Sequence, residues 1–461
     1  MNLFGIDFEV QNKPVLDETF TPLSKFNEAF LKTAKQPLCI AVERNEGLIA
    51  VFDTFIHGTA DRFDADCYYV ERLVKMLLWT KGGYRIMICG NEKVAQYIKT
   101  AYTSGGKRIF DADFMAVVYE NKFEVLSLPY EEKPAAHDLP KSLGRHLDGC
   151  RIGFDAGGSD RKVSAVIDGE AVFSEEVVWH PKTNTDPDYH FNGIVEAFKS
   201  AAAKMPRVDA IGISSAGVYV NNRTMVASLF LKVPKDAFDA KVKDIYTRAA
   251  REIGENIPIE VANDGDVTAL AGAMDLNENR ILGIAMGTSE AGGYVDKDGN
   301  ITGWLNELAF VPVDAQEDAM VDEWSGDIGC GVKYFSQDGV IKLAPKAGIV
   351  LDEALSPAEK LSIVQERVIA GDKQALQIFE TIGCYLGHTI GLYSDIYDIG
   401  HLLLLGRVMS GDGGHAIIDT ASHVLQTEYP ALFETVKLNL PDESNRRVGQ
   451  SVAAASLPAL K

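Results

Sequence analysis

The chain alternates between short apolar runs and amphipathic stretches along most of its length. Near the N-terminus, PLCIAVERNEGLIAVFDTFI predicts two strands joined by a turn at Asn45–Gly47, and YRIMICG and FEVLSLP predict two more strands. The spacing of apolar residues in YYVERLVKMLLW and EKVAQYIKTAY is that of helices. This part of the chain is therefore predicted to be an α/β domain.

The segment YEEKPAAHDLPKS, rich in charge, proline and alanine, interrupts this pattern and favours a domain boundary. Beyond it, RIGFDAG and KVSAVIDGEAVFSEEVV predict consecutive strands, and VDAIGISSAG and IPIEVAND predict buried ones. From Arg280 the rhythm repeats, with RILGIAMGTS and GGYVDKDGNIT as a second hairpin. A long helical stretch from about Pro357 to Asp395 precedes the strand HLLLLG. Such alternation predicts mixed sheets covered by helices.

Three domains are predicted from these changes of pattern. An N-terminal α/β accessory domain spans residues 1–143, and a first lobe spans 144–265 with a returning C-terminal helix at 445–461. A second lobe spans 266–444.

Composition narrows the functional class. The net charge is −21 and no run of Lys and Arg is present, which argues against a nucleic-acid partner. Six scattered cysteines without a CxxC pair argue against a disulfide framework. No stretch reaches the ~18 apolar residues of a membrane span, and the N-terminus lacks the pattern of a signal peptide. We predict a cytoplasmic protein that binds neither nucleic acid nor membrane.

Two glycine turns follow predicted strands and are candidates for phosphate binding. In IGFDAGGSDRK, Gly157 and Gly158 let backbone N–H groups approach a polyphosphate, and Asp155 can hold Mg²⁺ through water. In IAMGTSEAGGYV, Gly287 and Thr288 offer comparable donors. Taken alone, the first segment is more typical of an ordinary hairpin and the second fits either interpretation, but two such turns together are suited to clamp a nucleotide.

Two further strand ends carry polar or small residues. At the end of IEVAND, Asp264 can take a proton from a hydroxyl and the Asn263 amide can bind sugar hydroxyls, although both also suit a turn that caps a helix. In HLLLLGRVMSGDGG, Gly406 begins a turn that can pack on adenine or ribose, or simply follow a buried strand. The segment WHPKTNTDPDYH is interpreted as an exposed polar connection, with a substrate loop as the alternative.

In this order the segments resemble the ROK family of sugar kinases and sugar-responsive repressors, within the actin-like ATPase superfamily. FDAGGS resembles the family's D-x-G-G-T, VANDGDVTALAG its E-N-D-A-N-A-A-A-L-G, and AMGTSEAGG its L-G-T-G-x-G-G-G. WLNELAFVPV resembles its G-E-x-G-H, DIGCGVKYFS the end of its cysteine-rich loop, and VGQSVAAASLPAL its closing helix. The resemblance runs from about Arg151 to Leu460.

The resemblance implies an α/β fold of two actin-like (ribonuclease-H-like) ATPase lobes, here with an additional N-terminal α/β domain. It implies transfer of the γ-phosphate of Mg-ATP to a hydroxyl of a hexose or N-acetylhexosamine, with ATP and Mg²⁺ as cofactors. Asp264 would be the catalytic base, and Asn263 and Glu307 would bind the sugar. The implied nucleotide and Mg²⁺ site comprises Asp155, Gly157, Gly158, Ser159, Gly287, Thr288 and Gly406.

The chain also departs from the family pattern. Phe310 replaces the His of G-E-x-G-H, and Cys330 alone remains of C-x-C-G-x-x-G-C, so we predict no structural zinc. Val332 replaces a sugar-binding Glu, and Arg407 a glycine. Glu290 would repel a triphosphate unless it points away or helps to hold Mg²⁺. These losses favour an alternative function, a catalytically decayed protein that responds to sugar or nucleotide. The N-terminal domain is assigned to dimerisation or substrate capping, and a homodimer is expected.

Overall fold

The computed structural model describes residues 1–138, 143–441 and 449–460. The chain divides into two compact units. The first unit comprises Met1–Leu139, Ile284–Gly292 and Trp304–Leu440, and the second comprises Pro140–Gly283, Gly293–Gly303 and Pro441–Lys461. The N-terminal residues thus cluster with residues 304–440, and whether residues 1–143 form a domain of their own stays a prediction.

The N-terminal part of the first unit is built around one sheet. Its elements are β1 (Asn2–Leu3), β2 (Ile6–Asp7), α1 (Leu23–Thr33), β3 (Gln36–Glu43), β4 (Ile49–Ile56), α2 (Phe63–Lys81), β5 (Arg85–Cys89), α3 (Glu92–Ala101), α4 (Ile109–Tyr119) and β6 (Glu124–Leu128). Among the described residues the strand order is β4-β3-β5-β6, with β3 antiparallel to both neighbours and β5 parallel to β6. The four strands and the helices α2 and α3 predicted from the sequence are confirmed.

The second unit is built around a sheet that positions most of the candidate residues. Its elements are β7 (Cys150–Ala156), β8 (Asp160–Ile167), β9 (Glu170–Val178), α5 (Pro187–Ala202), β10 (Ala210–Ser215), β11 (Val218–Val220), β12 (Arg223–Val226), α6 (Lys235–Ala237), α7 (Ile245–Arg251), β13 (Ile259–Asn263) and α8 (Asp264–Leu276). The described strands follow the order β13-β10-β7-β8-β9, and β7, β10 and β13 are parallel. Since parallel strands end at the same edge, their C-terminal residues meet there.

The remaining elements follow in chain order. They are β14 (Ile281–Met286), β15 (Glu290–Val295), α9 (Gln337–Leu343), α10 (Pro357–Ile369), α11 (Lys373–Tyr393), β16 (His401–Leu405), α12 (Gly411–Glu428), α13 (Pro430–Thr435), β17 (Lys437–Asn439) and α14 (Gln450–Ala455). In the described residues the third sheet has the order β15-β14-β16-β17. The helical stretch predicted from about Pro357 to Asp395 is helical over most of its length but is divided into two helices, α10 and α11. Gly371, with φ at +82°, ends α10, and Asp372 caps α11.

The last helix packs directly on the sheet of the second unit. A Cβ atom on Gly153 of β7 would lie 1.7 Å from the carbonyl oxygen of Ser451, and one on Gly212 of β10 would lie 1.7 Å from that of Ala454. Glycine at both positions therefore lets the helix backbone reach the strands. Of the predicted helix 445–461, residues 445–448 and 461 lie outside the described residues.

Candidate functional site

The parallel strands of the second unit bring polar residues together at their C-terminal edge. In register, Ser214 of β10 lies opposite Asp155 of β7, and Ser215 lies opposite Asn263 of β13. Asp264 follows directly as the first residue of α8. Asp155, Asn263 and Asp264 were predicted as site residues, and the topology places all three at one edge of the sheet.

Asp155 is an enclosed carboxylate with a single short hydrogen bond. Its Oδ1 accepts a hydrogen bond of 2.8 Å from Ser214 Oγ, which in turn accepts one of 2.9 Å from Gln450 Nε2 of α14. Burial raises the pKa of Asp155 to about 6, the Ser214 hydroxyl opposes that shift, and the charge of Asp264 adds to it. The charge of Lys162 also opposes the shift but does not cancel it, so a bound cation fits the surroundings of this carboxylate.

Asn263 and Asp264 form the start of α8. The Asn263 side chain caps the helix by accepting from the Gly265 N–H at 2.7 Å, and its Nδ2 donates to the Gly217 carbonyl at 2.8 Å. The helix-capping interpretation is thus correct for Asn263. Because the amide has one more hydrogen and one more lone pair, capping leaves capacity for a ligand hydroxyl.

Asp264 combines burial with a favourable position on its helix. Burial raises the pKa of its carboxyl, while the backbone N–H of Gly265 and the charge of Lys182 oppose the shift. Its Oδ1 lies 3.0 Å from that N–H. The N-terminal end of α8 also favours negative charge. A carboxylate with a raised pKa is suited to accept a proton.

The first glycine turn, Gly157–Ser159, joins β7 to β8. Trp179 fixes it from one side, since its Nε1 donates to the Gly157 carbonyl at 2.8 Å and its backbone N–H to the Ser159 carbonyl at 3.0 Å. Gly158 and Ser159 are exposed. A Cβ atom on Gly158 would lie 2.9 Å from Lys182 Nζ, so this ammonium group sits directly against the turn.

Lys182 is a residue that the sequence analysis missed. It lies in WHPKTNTDPDYH, which was interpreted as an exposed polar connection. The segment is anchored by His190, whose Nε2 lies 2.9 Å from the Pro181 carbonyl oxygen. Lys182 is exposed and makes no hydrogen bond or ion pair with the residues that the structure describes. An uncommitted cation beside a glycine turn is a donor available to a phosphate group.

The second glycine turn, Gly287–Ser289, lies in the first unit. The Gly287 carbonyl accepts a 2.9 Å hydrogen bond from the backbone N–H of Gln337, at the start of α9. Gly406 adjoins this turn, because a Cβ atom there would lie 2.4 Å from the Met286 carbonyl oxygen. The predicted residues Gly287, Thr288 and Gly406 are therefore neighbours in one unit.

Glu290 does not point at this turn. Its side chain is 3% exposed and faces Tyr393 and Gly331 inside the first unit. Burial raises its pKa to about 8, and the Tyr393 hydroxyl opposes the shift. Glu290 is therefore mostly protonated at neutral pH. Because it points away from the turn and carries little charge, it does not repel a triphosphate there.

Glu307 and Phe310 lie beside the N-terminal part of the first unit. The Glu307 backbone N–H donates to the Trp79 carbonyl at 2.9 Å, and the Phe310 ring stacks on that of Trp79 with centroids 4.2 Å apart. Phe310, which stands where the family has His, thus has a packing role. Glu307 belongs to the first unit, and Asn263 and Asp264 to the second.

Other residue types occupy the positions of the family's cysteine-rich loop. Counting back from Cys330, the two other cysteine positions are Glu323 and Ser325. Glu323 pairs with Lys333 at 2.6 Å, and Ser325 Oγ donates to Asp322. Among the described residues no group of three or more His, Cys, Asp or Glu is arranged to hold a metal ion.

The same loop is fixed by a buried ion cluster. Asp327 accepts from Arg72 at 2.9 Å and Arg108 at 2.7 Å, and lies 3.3 Å from Lys75. Burial alone would raise the pKa of Asp327, but the charges of Arg72 and Lys75 outweigh it and hold that pKa below its usual value. The basic partners come from α2 and the start of α4. We therefore define Arg72, Lys75, Arg108 and Asp327, with Glu71 and Asp111, as the buried ion cluster.

Comparisons with known proteins place this geometry in a family. The sequence pattern of the ROK family matches residues 151–447, more than half of the chain. No curated protein sequence matches. None of the helices in the described residues has the length and apolar content needed to cross a bilayer.

Two solved structures share the fold. A ROK hexokinase from Thermus thermophilus aligns over 67% of this chain and 96% of its own, with 17% identity and a TM-score of 0.50. A ROK family transcriptional regulator, a homologue of the E. coli MLC protein, aligns over 74% and 81% with 15% identity and a TM-score of 0.52. The predicted α/β fold of the actin-like type is confirmed, and the chain belongs to the ROK family.

Proposed function

We propose that this protein is an ATP-dependent sugar kinase that transfers the γ-phosphate of Mg-ATP to a hydroxyl of a hexose or N-acetylhexosamine. One observation carries the proposal. Two enclosed carboxylates, Asp155 and Asp264, lie at one edge of a parallel sheet, beside a glycine turn against which the ammonium group of Lys182 lies. Phosphoryl transfer requires a base, a site for Mg²⁺ and positive charge at the phosphates.

Each group has a distinct role in the proposed reaction. Asp264 accepts the proton of the attacking sugar hydroxyl, and its raised pKa suits that step. Asp155 is the residue that would hold Mg²⁺, and the ion, when bound, would supply positive charge to the phosphate oxygens. Lys182 contacts a phosphate oxygen at the Gly157–Ser159 turn. Asn263 and Glu307 bind sugar hydroxyls, while Gly287, Thr288 and Gly406 contribute the second nucleotide turn.

A second candidate is a sugar- or nucleotide-responsive regulator without catalysis. The stacking of Phe310 on Trp79 favours it, because this position offers no polar group to a sugar. Retention of Asp264 at the start of α8 favours the kinase. All six cysteines are free and buried, which supports a reducing cytoplasm as the location of the protein under either function. A homodimer stays a prediction.

The kinase proposal is tested by measuring ADP release from Mg-ATP in the presence of a panel of hexoses, N-acetylhexosamines and pentoses. Stimulation by a hexose or N-acetylhexosamine supports the proposal and identifies the acceptor. Binding of a sugar without any stimulation would favour the regulator.

Replacing Lys182 with methionine is expected to lower kcat/KM for ATP about tenfold or more, because a phosphate loses one charged donor. The variant Lys182→Met should fold normally, since the side chain is exposed. Lys232→Met is the matched control, an exposed lysine of the same unit, and should leave kcat/KM unchanged. Equal kcat/KM values for the two variants would show that Lys182 does not bind a phosphate group of ATP.

The pH dependence of kcat/KM for Mg-ATP is expected to follow Asp155. Because the pKa of Asp155 is raised to about 6, its protonated fraction grows as the pH falls through that value, and a protonated carboxyl is a poor Mg²⁺ ligand. We expect kcat/KM to fall about tenfold per pH unit below about pH 6. In Asp155→Asn kcat/KM should be lower throughout and the limb that follows the Asp155 carboxyl should vanish, so that any fall that remains belongs to the base Asp264. A wild-type profile that stays flat through pH 6 would contradict the assignment.

A further inference from the structure

We propose that a cavity in the first unit, bounded by α1, the end of α11 and the start of α13, binds a small organic ammonium ion. The cavity has a volume of about 350 Å³, within the range that small-molecule sites occupy. Its walls include Asn27, Glu28 and Leu31 from α1, Asp395 after α11, and Glu428 and Pro430 near α13. None of these residues takes part in the proposed kinase reaction.

The walls carry more negative than positive charge. Lys25 pairs with both Glu28 at 3.0 Å and Glu428 at 3.3 Å, so one cation serves two carboxylates. The side chain of Asp395 forms no hydrogen bond or ion pair with the residues that the structure describes. Asp395 is exposed at one side, but desolvation by the cavity walls, together with the charge of Glu28, raises its pKa to about 6. A positively charged ligand would supply the partner that Asp395 lacks.

Asn27 is an independent observation that points to a ligand. Its side chain lines the cavity and is 6% exposed, and its Oδ1 has no hydrogen-bond partner in the described structure. A buried acceptor without a donor is unfavourable. An N–H group of a ligand would satisfy it, and an ammonium ion brings three such donors next to the carboxylates.

The residues that line the cavity favour an organic cation over a metal ion as the ligand. In the described parts of the chain, no three His, Cys, Asp or Glu side chains converge closely enough to hold a metal. Leu31, Pro430 and Leu432 add apolar surface that would contact a carbon chain. The ring of Tyr429, over which Lys25 Nζ lies at 5.0 Å, also contributes to the walls. The ligand class is therefore an alkyl ammonium ion, either free or at the end of a lysine side chain.

The proposal is tested by titration calorimetry of the full chain at low ionic strength. The probes are butane-1,4-diamine, Nα-acetyl-lysine amide and, as an uncharged control, butane-1,4-diol. We expect at least one amine to bind and the diol not to bind. The tighter of the two amines then indicates whether the natural ligand is a free amine or a lysine side chain.

Asp395→Asn is expected to weaken amine binding about fivefold, the effect of losing one partly exposed ion pair. Glu434→Gln is the matched control, because Glu434 is an exposed carboxylate on α13 that does not line the cavity. It should change the affinity less than about twofold. Asn27→Leu removes the unpaired acceptor and provides a second variant should Asp395→Asn fail to fold. Absence of binding by both amines, or an affinity unchanged by both cavity variants, would overturn the proposal.

Discussion

Replacing Asp264 with asparagine is expected to lower kcat for phosphoryl transfer about a thousandfold, the usual scale for loss of a general base. The asparagine side chain has the same shape but cannot take the proton of the sugar hydroxyl. Since the carboxylate contributes little to holding the sugar itself, the KM for sugar should change far less than kcat. The measurement is steady-state ADP release, with the sugar concentration varied at saturating Mg-ATP.

The fold of this variant should be intact. Burial raises the pKa of Asp264, so the charged side chain is held in the folded protein at a cost, and a neutral side chain removes that cost. Asp275→Asn, the same change at the far end of α8, is the matched control and should retain activity. If Asp264→Asn kept wild-type kcat, Asp264 would not be the base and the proposed mechanism would fail.

Replacing Asp327 with asparagine is expected to lower the free energy of unfolding by about 3–5 kcal/mol, because Arg72, Lys75 and Arg108 would stay buried without their shared counter-charge. All three basic side chains are less than a tenth exposed. The loss is measured as the shift of the urea unfolding midpoint at a constant m-value.

Asp53→Asn is the matched control in the same unit. Asp53 pairs with Lys133 at 2.7 Å, but its side chain is 53% exposed, and such pairs contribute about 1 kcal/mol or less. Equal losses for the two variants would show that the buried ion cluster does not stabilise the loop that ends at Cys330.

The strands could be predicted because each one is indicated by residues that are neighbours in the sequence. Ile40 and Ile88 pair across β3 and β5 within apolar runs of strand length, and the glycine turns at Gly157 and Gly287 follow their strands directly. The helix α1 also carries a local signal, with Leu23, Phe26 and Phe30 at helical spacing, although the sequence analysis did not identify it. By contrast, α4 is apolar on nearly every face, so its periodicity is weak.

The unpredicted parts depend on residues far apart in the sequence. Lys182 reaches Gly158 because its loop folds back onto the turn. The positions of the two residues in the sequence do not predict this contact. Arg72 and Lys75 look like the solvent face of an amphipathic helix. They are buried because Asp111 and Asp327 arrive from other segments. In the same way, the orientation of Glu290 toward Tyr393 follows from packing.

The most direct test of the kinase assignment is the stoichiometry of phosphosugar and ADP formed from Mg-ATP and the best acceptor of the sugar panel, with Asp264→Ala measured alongside. The kinase account predicts one phosphosugar per ADP in the wild type and loss of both products in the variant. ADP release that does not depend on sugar, or sugar binding without any phosphosugar, would contradict it.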